Sequence, residues 1–93
     1  MNAASRTDRI RALLEAEFRP EFLQVEDESQ HHIGHAGAAG GMGHFRVRIV
    51  APAFAGLSVL ARHRRIYASL GAMLRTEVHA LAIEARAPGE VPG

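Results

Sequence analysis

The sequence predicts a two-layer α+β sandwich in which a three-stranded mixed sheet carries its helices on one face, in the order αββααβ. Three observations support this fold class. Apolar residues recur at helical spacing over residues 7–18 and 58–74, they alternate with polar residues in three other stretches, and none of the 93 residues belongs to an internal repeat. The last strand follows the helices, so it must reach the sheet by a crossover.

The first half of the chain predicts a helix followed by two strands. Over residues 7–18 the apolar side chains form one stripe, and Pro20 ends the helix after a start at Ser5 or Thr7. Residues 22–28 alternate as a short strand, and residues 44–52 alternate more strongly. The glycine-rich residues 29–43 between them have no period and are expected to form a mobile loop. The stripe consists of Ile10, Leu13, Leu14 and Phe18.

The second half predicts two helices and a final strand. Ser58 is a plausible N-cap for the helical pattern that ends near Leu74, and Gly71 indicates a break whose position the pattern leaves open. Residues 78–87 predict a strand that is buried on at least one face. We therefore expect one domain over residues 6–87, with a flexible N-terminus over residues 1–5 and a flexible tail over residues 88–93.

Composition excludes several classes of function. The 11 basic residues, all arginine, almost balance 10 acidic residues, and the formal net charge is +1. Because cysteine is absent, the chain has no disulfide, thiol nucleophile or thiolate metal site of its own. It also lacks a long apolar run, a nucleotide-binding glycine motif and a serine-nucleophile motif. These features predict a cytoplasmic protein that does not associate with a membrane and is not an enzyme, with no catalytic residues.

Histidine is the unusual residue of this chain. Six are present, and four of them fall within residues 31–44. Neutral imidazole binds zinc, iron and copper. His32 and His35 have the spacing of half a zinc motif. The alternative to a metal site is that these histidines are solvated side chains in a flexible loop. His79 opens the last strand, where it is either a hydrogen-bonded core residue or a ligand. We expect His63 to pack against the helix.

Five arginines are candidates for contact with nucleic acid. Two of them share the polar face of the second strand, and three cluster on the helix that follows. The alternative is an ordinary solvated surface, because acidic residues balance the total charge. These candidates are Arg46, Arg48, Arg62, Arg64 and Arg65.

Several segments together resemble the BolA-like protein family. They are DES at residues 27–29, HFRVRIV at 44–50, FAG at 54–56, RHRRIY at 62–67 and VHALAI at 78–83, in the family's order and across nearly the whole chain. The resemblance implies an αββααβ fold related to class II KH domains. This fold agrees with the order of elements that the periodicity predicts independently.

The resemblance also implies a function. Members of this family partner monothiol glutaredoxins and share a [2Fe–2S] cluster with them. The glutaredoxin and glutathione supply thiolate ligands, and the BolA-like chain supplies histidine. The resemblance therefore implies that this chain holds no cluster alone. By its place in the HALAI motif, His79 corresponds to the family's ligand. A second ligand comes from the loop between the first two strands, where His32 is the nearest match and His35 its rival. Alone, the chain is expected to be a monomer or weak dimer.

A second function follows from the same resemblance. Some BolA-like proteins act as DNA-binding transcriptional regulators of cell morphology and stress response. In this chain the five candidate arginines would carry that activity.

Overall fold

The computed structural model describes residues 5–29 and 42–90. Its elements confirm the predicted order αββααβ, with a short 3-10 turn at Pro52–Phe54 after the second strand. The helices are α1 (Arg6–Phe18), α2 (Val59–Leu70) and α3 (Met73–Thr76), and the strands are β1 (Phe22–Asp27), β2 (Gly43–Val50) and β3 (Val78–Arg86). Most of the predicted loop, residues 30–41, lies outside the described residues, as do residues 1–4 and 91–93.

The sheet is mixed, as the sequence predicts. Its strand order is β1-β2-β3, with β1 antiparallel and β3 parallel to the central strand β2. One face of β2 carries Phe45, Val47 and Ile49, all buried, while its other side chains are partly exposed. Among residues 5–29 and 42–90, β3 pairs with β2 alone, so its other edge forms one side of the described sheet.

Local signals set the helix ends. The Ser5 and Ser58 hydroxyls accept hydrogen bonds from the backbone of the first turns of α1 and α2, which satisfies N–H groups that have no helical partner. Arg19 adopts φ 45° directly after α1 and before Pro20. Gly71 follows α2 with φ 53°, a backbone conformation that glycine adopts without steric cost. Gly71 therefore locates the helix break that the sequence pattern leaves open.

A single apolar cluster joins every layer of the fold. It includes residues of α1, of all three strands and of α2, and Phe18 and Phe54 stack within it at a ring-centroid distance of 4.9 Å. The α1 stripe is narrower than predicted, because Leu13 is exposed; Val59 and Tyr67 of α2 are exposed as well. The fully buried large side chains are Ile10, Leu14, Phe45, Val47, Ile49, Phe54 and Ile66.

The last described residues contact α2. Pro88 and Gly89 form a turn after β3. Beyond this turn the Glu90 carboxylate accepts hydrogen bonds from the Arg62 guanidinium and from the Ala87 backbone N–H. The hydrogen bonds between Glu90 and Arg62 thus hold the last described residues against α2, a contact that composition alone does not indicate.

Candidate metal-ligand site

His79 lies on the surface at the start of β3. Of the two alternatives for His79, a core residue or a ligand, its exposure excludes the core position. The register of β3 is irregular here: Gly43 is opposite Val78, whereas His44 is opposite Ala80. His79 is therefore the extra residue of a β-bulge, a feature that turns side chains out of the regular alternation. Val78 is buried, while His79 and Ala80 in succession are exposed. An exposed imidazole is accessible to a metal or a partner protein.

His44 lies beside His79 on the neighbouring strand. The two ring centroids are 5.1 Å apart, and the ring planes make an angle of 48°. His44 carries no signal in the sequence beyond its place in β2, a strand that was predicted correctly. A parallel pairing between strands that are far apart in the chain brings the two imidazoles together, and only the register reveals it.

The remaining candidate histidines are not part of this pair. His32 and His35 lie outside the described residues, so their assignment as the second ligand stays a prediction. His63 is half-buried on α2, in agreement with the expected packing position.

Hydrogen bonds fix the backbone on both sides of His44. Its N–H donates to the Ser29 hydroxyl at 3.0 Å, and its carbonyl accepts from the Glu28 N–H at 2.7 Å. Immediately before it, the Gly43 N–H donates to the Glu77 carbonyl at 2.9 Å. The start of β2 is thus tied both to the end of the β1 segment and to the turn that leads into β3.

An ion-pair cluster holds that turn against α1. Arg9 donates two hydrogen bonds to the Glu77 carboxylate, and Arg6 lies 3.6 Å from the same group. Chiefly through the Arg9 hydrogen bonds, this cluster lowers the pKa of Glu77 below its ordinary value. Glu77 therefore stays charged near neutral pH and anchors the turn two residues before His79.

The two candidate arginines of β2 are occupied by carboxylates of the same sheet face. Arg46 lies 3.2 Å from Glu28, and Arg48 lies 3.0 Å from Glu84 and 3.4 Å from Glu26. The sheet register explains these pairs. Arg48 is directly opposite Glu84 on β3, whereas Glu28 and Glu26 are diagonal neighbours, each two residues from the β1 position opposite Arg46 and Arg48. The open face is consequently a balanced charge network rather than a concentrated positive surface.

The three candidate arginines of α2 occupy different environments. Arg62 is 7% exposed, and its guanidinium donates to the Leu57 and Ala85 carbonyls and to Glu90. Arg65 is exposed, lies over the Phe18 ring and is 3.6 Å from Glu17. Arg64 is exposed and has no ion pair within residues 5–29 and 42–90. Of the three, Arg64 and Arg65 therefore offer charge to the solvent.

Potential metal ligands are sparse among residues 5–29 and 42–90. Among these residues no group of three or more histidine and carboxylate side chains is placed to hold a metal ion. The sequence contains no cysteine to complete a thiolate site. No helix within the same residues is long and apolar enough to cross a membrane.

The chain folds as a small α+β domain with two neighbouring imidazoles, those of partly buried His44 and exposed His79, at one end of its sheet. A family model described as BolA-like protein matches residues 14–90. The chain belongs to the BolA-like family.

Known proteins place the chain within this family. It is 48% identical over 92 residues to SufE-like protein 1, chloroplastic/mitochondrial, of Arabidopsis thaliana, covering 94% of this chain but 25% of that protein. It is 46% identical over 76 residues to the DNA-binding transcriptional regulator BolA of Escherichia coli, covering 82% and 70% of the two chains. The solved BolA1 from Arabidopsis thaliana superposes with a TM-score of 0.83 at 39% identity, covering 98% of this chain and 100% of that one.

Proposed function

We propose that this chain is a non-catalytic partner of a monothiol glutaredoxin and shares a [2Fe–2S] cluster with it. His79 supplies an imidazole ligand, and His32 or His35 supplies the second. The glutaredoxin and glutathione supply the thiolates that the sequence lacks. Imidazole replaces thiolate on one iron of Rieske clusters, so such mixed ligation is chemically sound. The proposal extends the family membership and the resemblance of the VHALAI segment at residues 78–83.

The exposure of His79 is the observation that carries this proposal. Its ring lies at the start of a strand that forms an edge of the sheet, where a second protein can approach without disturbing the core. A histidine buried among the core residues would need the strand to open before it could bind iron. The bulge thus gives the chain an accessible ligand on a rigid element.

The test is a spectroscopic titration of cluster-loaded monothiol glutaredoxin and glutathione with this protein. We expect the visible absorbance and circular dichroism of the cluster to change with wild-type protein and not with His79→Ala. The double variant His32→Ala with His35→Ala reports on the second ligand, and His63→Ala is the control. A cluster spectrum that wild-type protein leaves unchanged would overturn the proposal.

A second candidate function is DNA binding. The named activity of the Escherichia coli relative favours it, and exposed Arg64 and Arg65 are cations that phosphates can reach. Arg65 also lies 3.6 Å from Glu17, and the other three candidate arginines engage carboxylates in the described structure as well.

Salt dependence tests this second function. If Arg64 and Arg65 contact phosphates, DNA affinity falls with added NaCl, and Arg64→Ala with Arg65→Ala reduces the slope of log K against log salt by about 2. The matched control Arg46→Ala with Arg48→Ala is expected to change the slope less. Equal slopes for wild type and the α2 double variant would exclude this surface.

A further inference from the structure

We propose that His44 and His79 form a two-imidazole site that takes a single divalent d-block cation, such as Cu²⁺ or Zn²⁺, from solution without a partner protein. This site differs from the shared cluster in its ligand pair and in its ion. It requires no glutaredoxin, so it stands or falls separately from the proposed function.

The distance between the rings matches simultaneous ligation of one ion. An ion about 2.0–2.1 Å from a ring nitrogen lies about 3.2 Å from that ring's centroid, so two imidazoles at about 90–110° have centroids about 4.5–5.2 Å apart. The observed centroid separation of His44 and His79 is 5.1 Å. The strands therefore hold the two rings at a centroid separation that allows both to ligate one ion.

The β-bulge explains how this pair coexists with a buried β3 face. Without the extra residue, a continuous ladder that pairs Val78 with Gly43 would bring Leu81 opposite Arg46, on the open face of the sheet. The bulge instead sets Leu81 opposite buried Phe45 while His79 stays beside His44. The strand thus places Leu81 on the core face of the sheet and still keeps the two imidazoles together.

The surroundings favour a preorganised site. The His44 backbone is held at both its N–H and its carbonyl by Ser29 and Glu28. Next to it on the open face, Ala80 is a small residue that leaves room beside the rings. Arg46, the nearest arginine along β2, forms an ion pair with Glu28 at 3.2 Å, which offsets its repulsion of a cation.

The chemistry of the pair selects the class of ion. Imidazole is a ligand for copper, zinc and nickel, and among divalent first-row ions Cu²⁺ binds such nitrogen sites most tightly. Two protein ligands leave coordination positions for water or for a group of another molecule. The site is therefore an open one, in contrast to closed structural zinc sites with four protein ligands.

The experiment is a Cu²⁺ titration of the untagged full chain in a competing glycine buffer, followed by electron paramagnetic resonance. All samples carry the background substitutions His31→Gln, His32→Gln and His35→Gln, which remove the three histidines of residues 30–41 as competing ligands. We expect one Cu²⁺ with nitrogen hyperfine coupling in this background. Adding either His44→Gln or His79→Gln is expected to weaken the affinity at least tenfold, whereas His63→Gln is the matched control. Far-UV circular dichroism checks the fold of each variant.

Two outcomes would overturn the site. One is loss of Cu²⁺ binding in the background variant with its fold intact, which would assign the ligands to residues 31, 32 and 35. The other is unchanged affinity after His44→Gln. Because glutaredoxin is absent from every sample, neither outcome bears on cluster sharing. Cluster sharing is tested separately by the spectroscopic titration with cluster-loaded glutaredoxin.

Discussion

At the scale of single residues, Arg62 shows how a charge is accommodated at the edge of a core. Within the described residues it is the one buried charged side chain, and its guanidinium donates to two backbone carbonyls and to Glu90. Each of these groups would otherwise need water, which the packing of α2 against β3 limits. The arginine thus links the helix, the strand and the final turn.

Replacing Arg62 with methionine is expected to lower the thermal unfolding midpoint by about 5–10 °C, because it removes hydrogen bonds from carbonyls near the core. Arg64→Met on the exposed side of the same helix is the control and should change the midpoint by less than about 2 °C. Differential scanning calorimetry measures both. Equal midpoints for the two variants would contradict the role assigned to Arg62.

The Glu90 carboxylate predicts a pH dependence with a definite sign. The Arg62 hydrogen bonds and the Ala87 N–H lower its pKa from 4.5 to about 2 in the folded protein. A lowered folded-state pKa stabilises the fold above the unfolded value, and this stabilisation is lost as the pH falls from about 4.5 toward 2.

The comparison of wild type with Glu90→Gln isolates that effect. We expect wild type to unfold a few degrees higher at neutral pH, with the difference shrinking between about pH 4.5 and pH 2. Thermal melts across this pH range provide the measurement, and Glu21→Gln at an exposed position is the control. A difference that stays constant down to pH 2 would show that the carboxylate charge contributes nothing.

At the scale of elements, the start of β2 is the most constrained point of the sheet. A Cβ added at Gly43 would lie 2.6 Å from the Phe45 ring and 2.8 Å from the Ser29 hydroxyl, both closer than van der Waals contact. Glycine is required here by close packing, which also brings its N–H to Glu77.

We therefore expect Gly43→Ala to reduce the free energy of unfolding by about 1–3 kcal/mol, the usual cost of overpacking. Urea unfolding measures the change. Gly89→Ala is the comparison, because no atom lies within 4 Å of its added Cβ and its cost comes from φ +86° alone. A cost for Gly43→Ala below that of Gly89→Ala would show that β2 adjusts to the methyl group.

The elements themselves were largely predictable from the sequence, and the site was predictable only in part. Alternation identifies β2, and the Ser58 cap identifies the start of α2, because both signals are local. His79 was identified by family resemblance, but its exposure depends on a bulge that no local pattern indicates. His44 was missed for the same reason, since its neighbour comes from a strand 35 positions later in the chain.

At the scale of the whole molecule, charges and core are separated by the sheet. Arginines and carboxylates balance each other on the open face, and the opposite face joins the apolar cluster with α1 and α2. The sequence has a formal net charge of +1, but only the register shows that β2 arginines meet carboxylates of both neighbouring strands. Long-range recognition of polyanions through this face is consequently weak.

One continuous core predicts that the molecule unfolds as a single unit. Ile49 on β2 and Ile66 on α2 are both buried in the same cluster, so Ile→Val at either position should cost about 0.5–1.5 kcal/mol. The chain has one tyrosine, Tyr67 on α2, and no tryptophan. Tyr67 fluorescence therefore reports on α2, whereas far-UV circular dichroism reports on the whole backbone. In urea the two signals should coincide for both variants, with exposed Val59→Ala as the control. A Tyr67 transition that precedes the circular dichroism transition after Ile66→Val would instead mean that α2 separates from an intact sheet.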